Sequence, residues 1–182
     1  MCKDNCHSGM LQVFDDDGIR IFAGGTMRGG FHKPGTLLLN LCNLPRPLMM
    51  SEHILSREEF IKRHTDPRID ILWPDFGVPP FQTQDFWTDL VDVIRKTGKD
   101  VSILCQGGHG RTGTCLAILA PLMIGHKEDP VVWVRREYCS SAVETQEQVK
   151  LIEKITGLKS KVKIPKRIQY DWMSKLLKGE GK

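Results

Sequence analysis

The sequence predicts an α/β fold: a central, mostly parallel sheet of about four to five strands, flanked by helices on both faces. Three observations carry that expectation. The segments Thr36–Leu41, Ile69–Leu72 and Asp100–Leu104 are short and apolar, without the polar alternation of a half-exposed sheet. Segments with helical periodicity stand between them, as crossovers in a parallel sheet require. Finally, Thr112–Ile124 is apolar nearly all round, the signature of a helix buried on every side.

The elements follow in order. Leu11–Phe14 and Ile19–Phe22 flank Asp15-Asp16-Asp17-Gly18, which reads as a hairpin turn with a glycine in it. The acidic triplet lacks the spacing and terminal Glu of a calcium loop. Pro34-Gly35 introduces the strand Thr36–Leu41, and a proline-rich loop, Leu44–Pro47, follows it. Ser56-Arg57-Glu58-Glu59 is a capping box opening a short helix to about His64. Thr83 caps a helix whose Phe86, Trp87, Leu90, Val91 and Ile94 share one face and which Gly98 ends. Asp129-Pro130 starts another helix, running to about Tyr138, since Asp accepts from the free amides and proline suits the first turn. A last helix covers Glu144–Thr156 and stops at Gly157.

With 182 residues, 40% apolar and 26% charged, the chain has the composition of one globular domain and not of a disordered one. Its longest apolar run, Cys115–Ile124, has ten residues and contains Pro121. A membrane span needs about 20. The polar start, Met1–Met10, reads as a flexible terminus without the apolar stretch of a secretory signal. Cysteines at 2, 6, 42, 105, 115 and 139 show no disulfide spacing, so they are expected as thiols in a reducing, cytoplasmic compartment. Cys2, Cys6 and His7 lack a fourth partner to close a metal site. The expected catalytic body is therefore 11–157, followed by an extension over 158–182. From Gly157 onward eight Lys and Arg face only Asp171 and Glu180, a net +6 that leaves −2 for the rest. Nucleic acid or anionic lipid would suit that tail, although a solvated end is the favoured reading. A monomer is expected.

The chemistry concentrates after the strand Asp100–Leu104. There the chain reads Cys105-Gln106-Gly107-Gly108-His109-Gly110-Arg111-Thr112 and enters the buried helix. Glycines let successive N–H groups turn to one side as a concave nest, and the helix start adds its own unpaired amides. Such a loop suits a tetrahedral dianion. Arg111 offers a planar fork to two phosphate oxygens at once. Cys105 lies at the floor, so the loop pairs a nucleophile with a phosphate. Lowering a thiol from a pKa of about 8.5 to about 5.5 takes roughly 4 kcal/mol. A helix end supplies only about 0.3–2 kcal/mol. The loop amides, Arg111 and a Thr112 hydroxyl donating to the sulfur are expected to furnish the remainder.

Attack on a phosphate ester leaves an oxyanion in need of a proton. Asp75 sits in Trp73-Pro74-Asp75-Phe76-Gly77-Val78-Pro79-Pro80, a loop of stiff segments around one glycine hinge, suited to swinging an acid over a pocket.

Cys-x5-Arg-Thr entering a buried helix, with Trp-Pro-Asp upstream, resembles the cysteine-dependent protein tyrosine phosphatase superfamily. Size and the string CQGGHGRTGT are most similar to its compact dual-specificity branch; the acid loop is closer to the classical tyrosine phosphatases. Asn40-Leu41-Cys42 and Glu144-Thr145-Gln146-Glu147-Gln148 add to the likeness, which covers roughly residues 10–157. The resemblance implies Cys105 as nucleophile through a cysteinyl-phosphate, and Asp75 as general acid and then base. It implies Arg111 and the amides of Gln106, Gly107, Gly108, His109 and Gly110 as phosphate ligands, and neither metal nor cofactor. The substrate it implies is a phosphorylated protein carrying phosphotyrosine, with phosphoserine and phosphothreonine in the dual-specificity branch. Inositol lipids, RNA 5′ phosphates and phosphate binding without turnover are the alternatives.

Two departures matter. The family's first glutamine is Glu144 here and its second is Gln148, so water positioning is open between them. Leu104 stands where the family has a histidine before the nucleophile, which implies a less acidic thiol and slower turnover. By the same analogy Cys42 ends a strand beside the site and is either a disulfide partner for Cys105 under oxidation or a core thiol. His109 is expected to project from the rim toward substrate. Arg135 and Arg136 edge the pocket or are ordinary surface charges.

Overall fold

The computed structural model describes residues 9–42 and 66–165. Strand β1 (Leu11–Asp16) turns through Asp17 and Gly18, both at positive φ (48° and 86°), into the antiparallel β2 (Ile19–Gly25). Two successive positive φ values are what a tight hairpin demands, and the turn is narrower than the expected 15–18, because Asp15 and Asp16 still pair with Arg20 and Ile19. Strands β3 (Leu37–Asn40), β4 (Arg68–Asp70) and β5 (Val101–Cys105) complete a sheet of order β1-β2-β5-β3-β4, parallel except at β1. The strand expected over 69–72 is β4, shorter and shifted by one. Pairing lapses once the Ile71 N–H has met the Asn40 carbonyl (2.9 Å) and Leu72 turns 57% exposed toward Trp73-Pro74.

Four helices follow: α1 (Gln84–Thr97), α2 (Gly110–Ile124), α3 (Pro130–Glu137) and α4 (Gln146–Thr156). Their ends obey local chemistry. The Thr83, Asp129 and Thr145 side chains accept the first free amides of α1, α3 and α4. Gly98, Gly125 and Gly157 end α1, α2 and α4 in the left-handed region. Helix α4 begins two residues later than the pattern suggests, because Thr145 and Gln148 form a reciprocal capping box.

All four helices share one core with the sheet face that carries Ile21, Ala23, Leu37, Leu39, Val101, Ile103 and Cys105, and α2 lies at its centre. On the other face Leu38, Cys42 and Leu104 form a small separate cluster against Met10. The helix expected over 56–64, residues 43–65 altogether, Cys2, Cys6 and His7, and the tail from Lys166 lie outside the described residues. After Gly157 the chain runs back along α4. Ser160 and Lys161 bond Asp129 and Glu153, the Ile164 N–H reaches Gln146, and Val162 and Ile164 pack on the core. No helix of the described residues is long and apolar enough to cross a membrane.

Candidate active site

The parallel register places the end of β2 beside the end of β5, with Gly24 opposite Leu104 and Gly25 opposite Cys105. That pairing builds the site. Cys105 is the last residue of β5, 2% exposed, and the loop 106–109 leads directly into α2. The loop folds tightly over the strand ends. Gly108 adopts φ 77°, and a Cβ there would sit 2.8 Å from the Gly25 nitrogen. A Cβ on Gly25 would lie 2.5 Å from the backbone of both Gly107 and Gly108. Only bare backbone fits such an approach. The paired glycines ending β2 are a sequence signal of this closeness, which the reading of the chain passed over.

The Gly108 amide donates to the Cys105 sulfur at 3.1 Å. The Gln106 carbonyl is held by the Met27 amide (3.0 Å), and the His109 carbonyl by those of Gly113 (2.8 Å) and Val143 (3.4 Å). The Tyr138 hydroxyl donates to the Gly108 carbonyl at 2.6 Å. Tyr138 escaped the sequence reading because it lies thirty residues away, with no local pattern to announce it. Val143 carries φ 62°, unusual for a β-branched residue. It is held there by Arg135, whose guanidinium donates to the Ala142 and Val143 carbonyls (2.9 and 3.1 Å). Arg135 therefore braces the loop before α4, and its burial pulls its pKa down from the usual value. Arg136 pairs with Glu128 and Glu137 on the surface.

Arg111, 6% exposed, draws the acid loop over this cradle. It donates to the Trp73 carbonyl (3.2 Å) and pairs with the Asp75 carboxylate (2.9 Å). The loop is latched twice more through one acceptor, the Gly77 carbonyl, by the Trp73 indole (2.9 Å) and the Gln148 amide (3.2 Å). Phe76, inside the Pro74–Gly77 turn, carries φ 58°. Asp75 and Arg111, far apart in sequence, thus meet at the end of the short loop that starts from Cys105.

Other expectations are sorted by the geometry. The Thr112 hydroxyl is buried and donates to the Gly24 carbonyl (3.3 Å) where the sequence suggested the sulfur, because β2 brings that carbonyl alongside the first turn of α2. His109, the N-cap of α2, is half-buried, with its Nε2 shielded from solvent. Gln106 is exposed. Gln148 is fully buried and its carbonyl oxygen accepts from the Glu144 and Thr145 amides, so its amide is engaged at both ends. The Glu144 carboxylate instead lies against Gly110, where a Cβ would approach its Oε2 to 2.5 Å. Cys42 sits with Leu104 on the opposite sheet face from Cys105, its thiol 3.4 Å from the Asn40 oxygen. Cys115 shares the main core with Cys105, and burial, reinforced by the Cys105 sulfur, pushes its thiol far up from the ordinary range. Among the described residues no three His, Cys, Asp or Glu side chains converge as a metal site.

Comparisons with known proteins agree with this architecture. Two uncharacterized proteins of Methanocaldococcus jannaschii, MJECL20 and MJ0215, are 40% and 35% identical over 86 and 95 residues, or 47% and 52% of this chain. The aligned stretch spans 57% and 58% of those relatives. Among solved structures, the active form of Tk-PTP is similar at 23% identity and TM-score 0.55, over 80% of this chain and 96% of that one. DUSP15 matches at 14% and 0.54, over 82% and 88%. The human tyrosine phosphatase-like serine/threonine/tyrosine-interacting protein matches at 13% and 0.52, over 82% and 97%. At these identities the solved structures speak for the fold. Residues 57–161, more than half of the chain, match the model of the Swiss Army Knife protein DSP-PTPase phosphatase domain, and the chain belongs to that family.

Proposed function

We propose that the protein is a phosphomonoesterase that removes phosphate from phosphotyrosine, with phosphoserine and phosphothreonine as further substrates, in proteins. The observation that carries this reading is the docking of the Asp75 loop on Arg111, which closes the loop that starts from Cys105. On this reading Cys105 is the nucleophile, Arg111 the phosphate fork and Asp75 the proton donor.

The geometry supports the following course. A phosphate dianion takes the Arg111 fork and the loop amides, displacing the Asp75 carboxylate from the guanidinium toward the leaving oxygen, where, freed from the positive charge, it takes up a proton from solvent. The Cys105 thiolate forms a bond to phosphorus as the ester P–O bond breaks, and protonated Asp75 gives its proton to the departing oxygen. Water then attacks the cysteinyl-phosphate, Asp75 takes its proton, the S–P bond breaks and the thiolate returns. Glu144 is the better placed of the two water-positioning candidates, because Gln148 is committed to the acid loop and to the start of α4. By the resemblance, RNA-directed relatives lack an acid such as Asp75, and lipid-directed ones carry lysines between the cysteine and the arginine, where this chain has none.

The test is hydrolysis of para-nitrophenyl phosphate by the wild type beside Cys105→Ser and Asp75→Ala. It is followed by a panel of phosphotyrosine and phosphothreonine peptides, inositol phosphates and triphosphorylated RNA. Turnover lost in Cys105→Ser, with phosphotyrosine peptides fastest, is expected. Turnover retained in Cys105→Ser refutes the mechanism, and none in the wild type points to a phosphate-binding module.

A further inference from the structure

Across a planar trans peptide the carbonyl of one residue and the N–H of the next point in opposite directions. The described chain holds no cis peptide. Whatever fixes a loop carbonyl therefore also aims the following amide. At Gln106 and His109 the donors that hold the carbonyl are backbone amides, from Met27 and from Gly113 and Val143. Gly108 differs: a side-chain hydroxyl, that of Tyr138, reaches its carbonyl.

We propose that Tyr138 is a positioning residue for the phosphate cradle. By holding the Gly108 carbonyl outward it turns the His109 N–H into the loop and steadies the Gly108 amide on the Cys105 sulfur. The inference rests on the phosphatase reading above. Gly108 is the joint where such a hold matters. Its left-handed φ of 77° leaves the adjoining peptide unusually free to rotate, because no side chain resists. A rotated peptide would place a carbonyl oxygen where the bound phosphate needs a donor. Tyr138 is itself rigidly placed. It is 1% exposed, its amide closes the last turn of α3 on the Val134 carbonyl (3.0 Å), and Arg135 fixes the chain just beyond.

Tyr138→Phe deletes the hydroxyl and keeps the ring. Inorganic vanadate affinity and kcat for para-nitrophenyl phosphate are expected to fall together by about tenfold, less than for loss of an oxyanion donor outright. The pH midpoint of Cys105 alkylation by iodoacetamide should rise as well. A packing role alone would lower the thermal midpoint and move neither vanadate binding nor the alkylation profile at a temperature where the variant is folded; that result overturns the proposal. Because the sequence has only two tyrosines, a folded protein with Tyr170→Phe and 3-fluorotyrosine at 138 provides a second reading should Tyr138→Phe not fold. Its fluorine resonance is expected to shift when vanadate is added, and an unmoved resonance overturns the coupling. A wild type that neither binds vanadate nor turns over brings down the phosphatase reading and this one with it. An active wild type matched by Tyr138→Phe brings down this one alone.

Discussion

On the proposed function Asp75 and a bound phosphate would compete for the same guanidinium, and that competition has a measurable signature. Asp75→Asn removes both a proton donor and a rival anion. General acid catalysis contributes about 10²–10⁴-fold, so kcat on phenyl phosphate is expected to fall by at least about a hundredfold. The loss should be smaller on para-nitrophenyl phosphate, whose leaving group needs the proton less. Vanadate should meanwhile bind several-fold more tightly, because Arg111 no longer has to release a carboxylate. Steady-state kinetics with vanadate inhibition reads both; weaker vanadate binding would contradict the shared fork. At this scale the sequence was informative wherever chemistry was local. The cysteine, the arginine and the acid are motif residues, and the last two pair directly. It was silent on Tyr138, Gly25 and the Trp73 indole, whose roles depend on elements brought together only by the sheet. It misdirected Thr112 for the same reason, since the competing acceptor on Gly24 is 88 residues away.

The elements are held by caps that local rules describe well, and Asp129 shows how one cap is reused. Its Oδ1 accepts from the Val131 and Val132 amides, while its Oδ2 takes the Ser160 hydroxyl and the Lys161 amide of the returning chain. Asp129→Ala should cost about 2 kcal/mol, roughly 1 from the cap and the rest from charged hydrogen bonds. Urea unfolding measures it as a lower midpoint at unchanged slope. A cost under about 0.5 kcal/mol would mean that the strap contributes nothing. The helix starts at Thr83 and Asp129 could be read from sequence because a cap is a contact over three residues, whereas the apolar pattern started α4 at Glu144, ahead of its Thr145 cap. Strand limits could not, because they depend on which neighbour stops pairing first, as at Leu72.

Stability of the whole molecule against acid draws a contribution from the end of the sheet remote from Cys105. There Arg20 on β2 grips Asp100 just before β5 through its amide (2.9 Å) and guanidinium (3.0 Å from Nε). Burial pushes the Asp100 pKa up, but the hydrogen bonds and charge of Arg20 outweigh it and hold the carboxyl below its usual value. In the unfolded chain Asp100 takes up its proton near the ordinary value of about 3.9, before the folded protein does. Its stabilisation is therefore complete above that pH and is lost as pH falls through the lower, folded-state value. Asp100→Asn should flatten the acid limb of a stability-versus-pH curve below about pH 4 while leaving the limb near neutrality parallel to wild type. An unchanged acid limb would show that other carboxylates govern acid unfolding.

The carboxylate tethered beside Arg111 has one more effect, on which anions gain entry. A group attached by a short loop is present at an effective concentration on the order of millimolar. Dilute singly charged ions such as chloride or acetate lose that exchange, since they offer the fork nothing the tether does not. On the proposed reading a doubly charged phosphoryl group would collect the loop amides in addition and win. The resting pair of Arg111 and Asp75 would thus act as a threshold, with discrimination beginning before any bond is broken.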